Sequence, residues 1–539
     1  MRTRPILLSL ALGAAATALE FSTPKWPYGH QLAQEEHILY EGIDLGSFST
    51  GCTPARTFTS VAAQWIRLAY HDMSTHNVDD GTGGLDASIR FELDRAENVG
   101  GGMISSLADF SNLQTPYISM SDLIAMGTIF AYGSCGGPSH ASIPYRAGRK
   151  DATTAGPPGV PEPHQDVESH IESFRRQGFN QEEMIALIAC GHTVGGVAQK
   201  DFPDTVAADT LFDGEQKYSP LVVTGYLNGS TPNPLVVTSN VTLRSDLRAF
   251  ASDGNVTMQR LAQGNNLDTT CASLIERMIN TVPKDVQLTE PILPIQYKVG
   301  RVRLYPSSAN GSADLILETR LRILDFSDNP NRIVKLFWND REGEGESTCP
   351  ATGCSVQHTS RARPGGTSDT GFRFLGTSVE TYTFRATINA SSSISKFWFE
   401  IHEDSSSEGV TLVDNGGEGY VIDQDDVLFD PTRSTRYLRS VAVQIVVAVK
   451  TSKLSESSNL TLNTFSTHKI LPPQFIPKVF TGLALSLADE NTWPSTARYT
   501  FFTTERVEEM SSFDVVFEGR VVQEYAESEE IVNVEFSAA

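Results

Sequence analysis

The periodicity of the apolar residues changes once along this 539-residue chain, close to Val282-Pro283. Before that point, apolar residues recur at helical spacing in segments joined by Gly- and Pro-rich loops. From Ile295 onward the pattern alternates every second residue and is rich in Val, Thr, Phe and Tyr, as in the runs 381–388 and 440–447. We therefore predict a mainly helical first half followed by a region of antiparallel β-sandwiches.

The chain is long enough for about three domains. We predict a helical domain over 19–290, a β-sandwich over 291–405 and a second sandwich, or a continuation of the first, over 406–539. Turn signals at 327–330 and 415–417 separate the alternating runs. The predicted helices of the first half are 58–73, 87–98, 119–132, 167–177, 181–190 and 268–279.

Two polar residues in the first of these helices are candidates for chemistry. Arg67 and His71 are four residues apart in an apolar-rich segment, so a helix places them on one face, one turn apart. Burying an imidazole beside a cation costs solvation energy, which favours a functional reason for the pair. The alternative is a hydrogen-bonded core histidine beside an arginine whose charged end reaches the solvent.

A second histidine lies near the end of another predicted helix. Asn180 is a favourable N-cap, and Glu183 completes a capping box. The helix then leads to His192, and the glycines that follow allow a close approach of another group. Two buried histidines of this kind suit a haem held between helices, with one imidazole on the iron and the other acting on peroxide.

Three motifs resemble a known family. They are Arg67-x-x-Tyr70-His71-Asp72, Gly84-Leu85-Asp86-Ala87-Ser88 and Gly191-His192-Thr193, and they resemble the distal, calcium and proximal motifs of the plant-type haem peroxidase superfamily. The resemblance runs from about Glu35 to Pro291, and its last part is similar to secreted fungal hybrid-type peroxidases with class II-like features. Many of those carry a Cys-rich WSC module, which we expect to be missing because only two cysteines follow Cys271.

The resemblance implies one haem b per chain and assigns roles to five residues. His71 would be the base and Arg67 the donor to the departing oxygen, while Asn98, supported by Glu92, would fix the tautomer of His71. His192 would bind the iron, and Asp246 would accept a hydrogen bond from its other nitrogen. Without the resemblance, Asn98 is interpreted as a helix C-cap and Asp246 as the N-cap of a short helix.

The resemblance also implies calcium sites and limits the kinds of electron donor that we expect. Asp72, Gly84, Asp86 and Ser88 would form a distal Ca²⁺ site, with a solvated acidic loop as the alternative. Thr193 and Asp213 would contribute to a proximal Ca²⁺ site, although Ser219 stands where a second aspartate is expected. Ser60 and Gln64 replace the two glutamates of manganese-oxidising relatives, and Phe212 is our candidate for the proximal aromatic residue. Asp122 and Arg149 resemble a structural ion pair.

Composition and termini indicate export. With 42 basic and 65 acidic residues the formal charge is −23, which argues against nucleic acid and anionic membranes as partners. The apolar run 6–18 is too short to span a bilayer, and with Arg2 and Arg4 before it we interpret residues 1–18 as a signal peptide. Sequons for N-glycosylation occur at Asn228, Asn240, Asn255, Asn310, Asn389 and Asn459.

Six cysteines suit an oxidising compartment. The resemblance pairs Cys52 with Cys135, and elimination then suggests Cys190 with Cys271. Cys349 and Cys354 are close enough in sequence to close a small loop, with a metal knuckle as the alternative.

Two functions from different classes follow. The first is a secreted haem peroxidase that reduces H2O2 in a response to oxidative stress and oxidises small phenolic or other aromatic donors. The second is a cell-wall or carbohydrate-binding glycoprotein whose β region binds polysaccharide and whose peroxidase half is vestigial. The first is favoured because a vestigial site is expected to lose at least one of its five key residues, and all five are present.

Overall fold

The computed structural model describes residues 21–41, 52, 58–138, 143–308, 314–325, 329–341, 354–362, 378–403, 409–489, 495–496 and 498–536. The predicted signal peptide, Asn310 and Cys349 lie outside the described residues. Within the described part, no helix has the length and apolar character needed to cross a membrane.

Helices are the main regular structure among the described residues before residue 280. They are α1 His30–Tyr40, α2 Val61–Met73, α3 Gly102–Ser111, α4 Met120–Ser134, α5 Val167–Arg176, α6 Gln181–Gly191, α7 Leu221–Asn228, α8 Pro234–Val237, α9 Ser245–Ala251, α10 Val256–Leu261 and α11 Asn266–Ile279. The expected capping box at the start of α6 is present. The side chains of Asn180 and Glu183 each accept a hydrogen bond from the backbone N–H of the other residue.

One predicted helix is wrong. Residues 87–98 form two short 3-10 turns, Ser88–Phe91 and Ala96–Asn98. Ala87 adopts a left-handed backbone conformation, and the N–H groups of Ala87 and Ile89 donate to the carboxylate of Asp72. The segment is therefore tied to the end of α2 by these two hydrogen bonds.

Strands dominate the second half. After the short β1 Gly196–Val197 and β2 Thr210–Leu211 they are β3 Tyr297–Pro306, β4 Leu315–Asp325, β5 Ile333–Asn339, β6 Cys354–Gln357, β7 Ser360–Ala362, β8 Ser378–Ile388, β9 Lys396–His402, β10 Val410–Val413, β11 Tyr420–Val421, β12 Val427–Phe429, β13 Thr435–Tyr437, β14 Ala442–Gln444, β15 Val446–Lys450, β16 Leu460–Ser466, β17 Lys478–Ala484, β18 Ser486–Leu487, β19 Tyr499–Thr503, β20 Val507–Glu508, β21 Ser512–Phe517, β22 Arg520–Glu527 and β23 Asn533–Glu535.

These strands form five sheets whose described pairings are antiparallel except for β13 with β23. The strand orders are β3-β4-β8-β7, β10-β9-β5-β6 with β11 also on β9, β12-β15-β19-β18, β17-β16-β21-β22 and β20-β14-β13-β23. Because β10 and β11 pair with β9, the division that we predicted between residues 405 and 406 falls within one sheet.

The sheet that contains β15 is buried on both faces. Val446 and Ala448 belong to a core shared with β3, β4, β5, β8 and β9, whereas Val447 and Val449 pack against β16 and β21. The two sandwich cores are therefore stacked on one shared sheet. That position explains why the run 446–449 is uniformly apolar, although we interpreted the segment around it as an alternating strand.

The helical and β regions share buried contacts. Leu324, Val379 and Phe475 from the β region belong to the core of the helical domain. Beside them, Arg322 of β4 binds Glu36 of α1 through both nitrogens, at 2.6 and 3.0 Å, and Lys298 of β3 donates to Glu36 at 2.7 Å. The β region is thus packed against the helical domain through both apolar and charged contacts.

Two disulfides lie within the helical domain. Cys52 pairs with Cys135 and Cys190 with Cys271, which confirms both predicted pairings. Cys354 is also disulfide-bonded, which removes the metal-knuckle alternative. The second bridge fixes the last turn of α6 to α11, directly before His192.

Candidate active site

Helix α2 places Arg67 and His71 one turn apart, as the spacing predicts. His71 is 8% exposed, and its Nδ1 lies 2.8 Å from Oδ1 of Asn98. The amide of Asn98 is oriented by its own hydrogen bond, because Nδ2 donates to the carbonyl of Glu92 at 3.0 Å. Asn98 therefore presents an oxygen to His71, so Nδ1 carries the proton and Nε2 is left with its lone pair.

The electrostatics of this pair favour a neutral imidazole and a charged guanidinium. Burial and the adjacent Arg67 lower the pKa of His71 to about 3, against the opposing effect of the Asn98 hydrogen bond. Burial lowers the pKa of Arg67 to about 10, and the carboxylate of Asp201 opposes this shift. At neutral pH the site therefore holds a base and a cation side by side.

His192 stands at the C-terminal end of α6, where the helix stops. Its Nδ1 lies 2.7 Å from Oδ2 of Asp246, and the same carboxylate oxygen accepts a hydrogen bond from Nδ2 of Asn233 at 2.7 Å. The carboxylate makes His192 a stronger donor through Nε2, as in histidines that bind metals. Asp246 is in the first turn of α9 and buried, so its predicted contact with His192 is present and its role as an N-cap is not.

The surroundings of His192 fit a flat prosthetic group. The ring stacks on Phe212 with 4.0 Å between centroids, and 26% of the His192 side chain is exposed beside this packed face. A side chain at Gly191 would meet no atom within 4 Å, which leaves open space at the end of α6. The free Nε2 of His192 is thus the donor expected of an iron ligand, and His71 supplies the second imidazole on α2.

The residues predicted to bind distal calcium converge at the end of α2. The buried Asp72 accepts from the N–H groups of Ala87 and Ile89 at 2.7 and 2.9 Å, and Oδ1 of Asp86 accepts from the N–H of Ser88. Burial and the nearby charge of Asp86 raise the pKa of Asp72 well above its usual value. Two buried carboxylates that repel each other are an arrangement that a dication would stabilise.

The loop that carries Gly84 is held against the same helix end. The N–H of Gly84 donates to Oγ1 of Thr75 at 3.0 Å, and a Cβ on Gly83 would overlap the carbonyl of Thr75. Within the described residues no group of three or more His, Cys, Asp or Glu side chains is placed to hold a metal. A cation here would therefore need carbonyl and hydroxyl oxygens beside Asp72 and Asp86.

The candidate proximal cation site is less complete. Thr193, Asp213 and Ser219 are all buried. Oδ1 of Asp213 accepts from the N–H of Glu215, and burial raises the pKa of Asp213 to about 6. The hydroxyl of Thr193 donates to the carbonyl of Cys190, which keeps its oxygen lone pairs available. One carboxylate contributes charge here, against two at the distal site.

Several other sequence predictions can be placed. Asp122 and Arg149 form a buried ion pair at 2.9 Å, which confirms the structural role predicted for them. Ser60 caps α2 and accepts from the N–H of Ala63, so its side chain is engaged in the helix start. Tyr70 packs on Phe174 with 5.8 Å between ring centroids.

Sequence reasoning missed two contributors. Asn233 was not predicted, since the sequence shows only a good N-cap before Pro234, and its bond to Asp246 depends on the fold. Asp201 was also missed. It lies in the loop between β1 and β2, and only the tertiary structure brings it close to Arg67.

The helical domain is similar in sequence to known peroxidases. Residues 54–241 match the family model described as peroxidase. A WSC domain-containing protein of Arthroderma benhamiae is 35% identical over 412 residues, 73% of this chain and 55% of the relative. Peroxisomal L-ascorbate peroxidase 5 of Arabidopsis thaliana is 32% identical over 34% of this chain and 63% of its own length. Mitochondrial cytochrome c peroxidase of Aspergillus fumigatus is 34% identical over 30% of this chain and 42% of its own length.

The chain spans between two fifths and two thirds of the length of these relatives. The similarity to the Arthroderma protein is longer than the whole helical half, so it includes part of the β region. The family match and the peroxidase relatives agree with the paired histidines and their hydrogen-bond partners. Over residues 54–241 of its helical domain, this chain matches the peroxidase family of the plant-type haem peroxidase superfamily.

Proposed function

We propose that this protein is a secreted haem peroxidase that reduces H2O2 and oxidises small phenolic donors by one-electron steps. One observation carries the proposal: each of two histidines has its Nδ1 bonded to a side chain, His71 to Asn98 and His192 to Asp246. Both rings therefore direct Nε2 away from that bond. A base and an iron ligand both require a free Nε2 of this kind.

The residues would divide the work as follows. His192 would hold the haem, which supplies the iron that binds peroxide and stores the oxidising equivalents. Nε2 of His71 would take the proton from the inner oxygen of the peroxide and return it to the outer oxygen, which departs as water. The guanidinium of Arg67 would donate to that departing oxygen while its negative charge grows.

Asp72, Gly84, Asp86 and Ser88 support a further proposal of one bound Ca²⁺. Asp72 directly follows His71, so an ion at this position would fix the end of the helix that carries the base. Thr193 and Asp213 support a second, weaker cation site by the same chemistry of hard oxygen donors.

The proposal of export comes from the sequence, and the exposure of most sequon asparagines supports it. The sequon residues Asn228, Asn240, Asn389 and Asn459 are exposed, whereas Asn255 is half-buried and accepts from the hydroxyl of Tyr226 at 2.7 Å. The first four are therefore the better acceptors for a glycan. Secretion would be tested by locating the protein and by mass spectrometry of these asparagines.

A carbohydrate-binding protein with a vestigial peroxidase half is the alternative that we disfavour. A site without function has no reason to keep two separate histidine–acceptor pairs, and both are intact. Binding of cell-wall polysaccharide by the β region stays a separate proposal, which a pull-down on insoluble glucan and chitin would test.

The decisive experiment is an absorption spectrum of the purified protein, before and after one equivalent of H2O2. We expect one haem per chain, a spectral change on addition of peroxide, and a return to the first spectrum when guaiacol is added. A protein that binds haem but shows no change with peroxide would contradict the proposal. A protein that binds no haem would contradict it as well.

A further inference from the structure

The loop between β1 and β2 connects the proximal side of the site to the distal side. The segment from the start of β1 to the end of β2 begins four residues after His192 and ends directly before Phe212, which stacks on His192. The loop has a small core of its own, formed by Val197, Val206 and Phe212 with Phe202 against it. The N–H of Gln199 donates to Asp209 across the loop at 2.8 Å, so the segment has a defined shape.

Asp201, in this loop, lies close to the guanidinium of Arg67. A Cβ built on Gly100 would lie 3.0 Å from Oδ2 of Asp201 and 3.4 Å from Nη1 of Arg67. The carboxylate and the guanidinium therefore border the same small space beside Gly100. Phe202, the next residue, has its ring centroid 6.0 Å from Cζ of Arg67. The proximal loop and the distal segment thus meet at this point.

The charge of Asp201 remains available to an incoming molecule. The carboxylate of Asp201 borders the space beside Gly100, and it acts on Arg67 as a charge through space. Asp201 is half-buried, which gives it contact with solvent as well as with the interior. A carboxylate at such a border acts on charged ligands through space, and low-dielectric surroundings strengthen that effect.

We propose that Asp201 selects the electron donor by charge, favouring cationic over neutral and neutral over anionic phenols. This inference rests on the proposed function, since it concerns the donor of that same site. It concerns a specificity-determining residue, because Asp201 would act on the donor's charged group and leave the reaction with peroxide to His71 and Arg67.

The test uses three phenols that share one reacting group and differ in charge. Tyramine carries an ammonium group, 4-methylphenol is neutral and 4-hydroxyphenylacetate carries a carboxylate. A unit charge several ångströms from Asp201 in a partly aqueous site changes binding by about threefold. The ratio of kcat/KM for tyramine to that for 4-hydroxyphenylacetate should therefore fall about tenfold in Asp201→Asn. Dissociation constants from equilibrium dialysis should move in the same direction.

Two variants serve as controls. Asp204→Asn removes the same charge from an exposed side chain of the same loop, and should leave the ratio within about twofold of wild type because solvent screens it. Asp201→Glu keeps the charge and should retain most of the selectivity. Raising the salt concentration should reduce the wild-type ratio and change that of Asp201→Asn much less.

The outcomes separate this inference from the proposed function. If 4-methylphenol is oxidised and the ratio is the same in Asp201→Asn, the inference is wrong and the proposed function stands. If Asp201→Asn slows the reaction with peroxide for all three phenols alike, Asp201 positions Arg67, which also overturns the inference. If no phenol is oxidised, the proposed function is wrong, and equal dissociation constants in the two proteins would overturn the inference independently.

Discussion

At the scale of single residues, hydrogen-bond partners decide what each histidine can do. Asn98 offers an oxygen to His71 because its amide is already bonded to Glu92. Asp246 is shared between His192 and Asn233. In both cases the partner fixes Nδ1 and leaves Nε2 for chemistry, so substitution of either histidine should have a distinct effect.

We expect His192→Ala to abolish stable haem incorporation and His71→Ala to retain haem. The first removes the iron ligand, whereas the second removes the base and should slow the reaction with peroxide by about 10²–10⁴-fold. Haem content and stopped-flow rates measure the two effects. A Soret band of normal intensity in His192→Ala would overturn the assignment, unless another ligand were identified.

The proximal hydrogen bonds should control haem retention. Asp246→Asn removes the charge that strengthens His192 as a donor, and loss of such a partner costs about 10–100-fold in metal affinity. Asn233→Ala, which leaves the carboxylate in place, should have a smaller effect. Transfer of haem to apomyoglobin measures both. Equal transfer rates in wild type and Asp246→Asn would show that the carboxylate does not support the iron ligand.

At the scale of helices and loops, the two ends of α2 have different tasks. Its start is capped by Ser60, and its end is tied by Asp72 to the turn at Ala87 and Ile89. The base therefore lies between a neutral N-terminal turn and a C-terminal acidic loop. Each end leads to a prediction about a metal ion.

We predict no specific oxidation of Mn²⁺. The side chains at Ser60 and Gln64 are neutral, and Ser60 is engaged as the N-cap, so neither supplies the carboxylate that holds this ion. Steady-state turnover with Mn²⁺ as the only donor measures this. Saturation at micromolar Mn²⁺ would place a manganese site elsewhere on the protein.

Chelation should shorten the lifetime of the enzyme more than it slows the first turnover. An ion bound only by the native state stabilises it, and its removal favours local opening at the end of α2. Incubation with EDTA at mildly elevated temperature should inactivate the protein and allow His71 to reach the iron, with partial rescue by Ca²⁺ and none by Mg²⁺. Asp86→Asn should behave like the chelated protein. If chelation changes neither the activity nor the melting temperature, the calcium site is wrong and the loop is a solvated acidic turn.

At the scale of the whole molecule, buried charges join the helical and β regions. Arg322 and Lys298 bind Glu36, and Arg322 also binds Glu41 at 2.8 Å. Burial alone would raise the pKa of Glu36, but Arg322 and Lys298 outweigh it and leave the pKa below its usual value. Burial would also raise the pKa of Glu41, but His37 first, and then Arg322 and Lys298, hold it well below its usual value.

These shifts predict a pH dependence of stability. Carboxylates with a lowered pKa in the folded state stabilise it above their unfolded pKa, near 4.5, and lose that effect as the pH falls below it. At pH 7 we expect Glu36→Gln to destabilise the protein by about 3–5 kcal/mol, because Arg322 and Lys298 lose the buried carboxylate that they share and retain only Glu41. The difference from wild type should shrink as the pH falls below 4.5.

The matched control is an exposed pair between the same regions. The side chains of Glu418 and Lys25 are 63% and 76% exposed. Glu418→Gln removes the partner of Lys25 and should lower the free energy of unfolding by at most about 1 kcal/mol. Thermal unfolding followed by circular dichroism at several pH values measures both variants. Equal effects of Glu36→Gln and Glu418→Gln at pH 7 would show that the buried network contributes nothing special.

Much of the local structure follows from short-range patterns in the sequence. The capping box at Asn180, the spacing of Arg67 and His71, and the change to alternating strands are all local patterns, because backbone bonding and side-chain periodicity act over a few residues. The resemblance then supplied the long-range pairs, including His192 with Asp246. Without it, Asp246 and Asn98 would have been interpreted as caps.

Other features depend on contacts between distant segments and arise only in the folded chain. Residues 87–98 do not form the helix that we predicted, because the carboxylate of Asp72 accepts hydrogen bonds from N–H groups of this segment. The run 446–449 is buried on both faces because a second core covers the far side of its sheet. Asp201 meets Arg67 because the loop after β1 returns to the distal side. Such contacts join residues remote in sequence, and their energies arise only when the chain has folded.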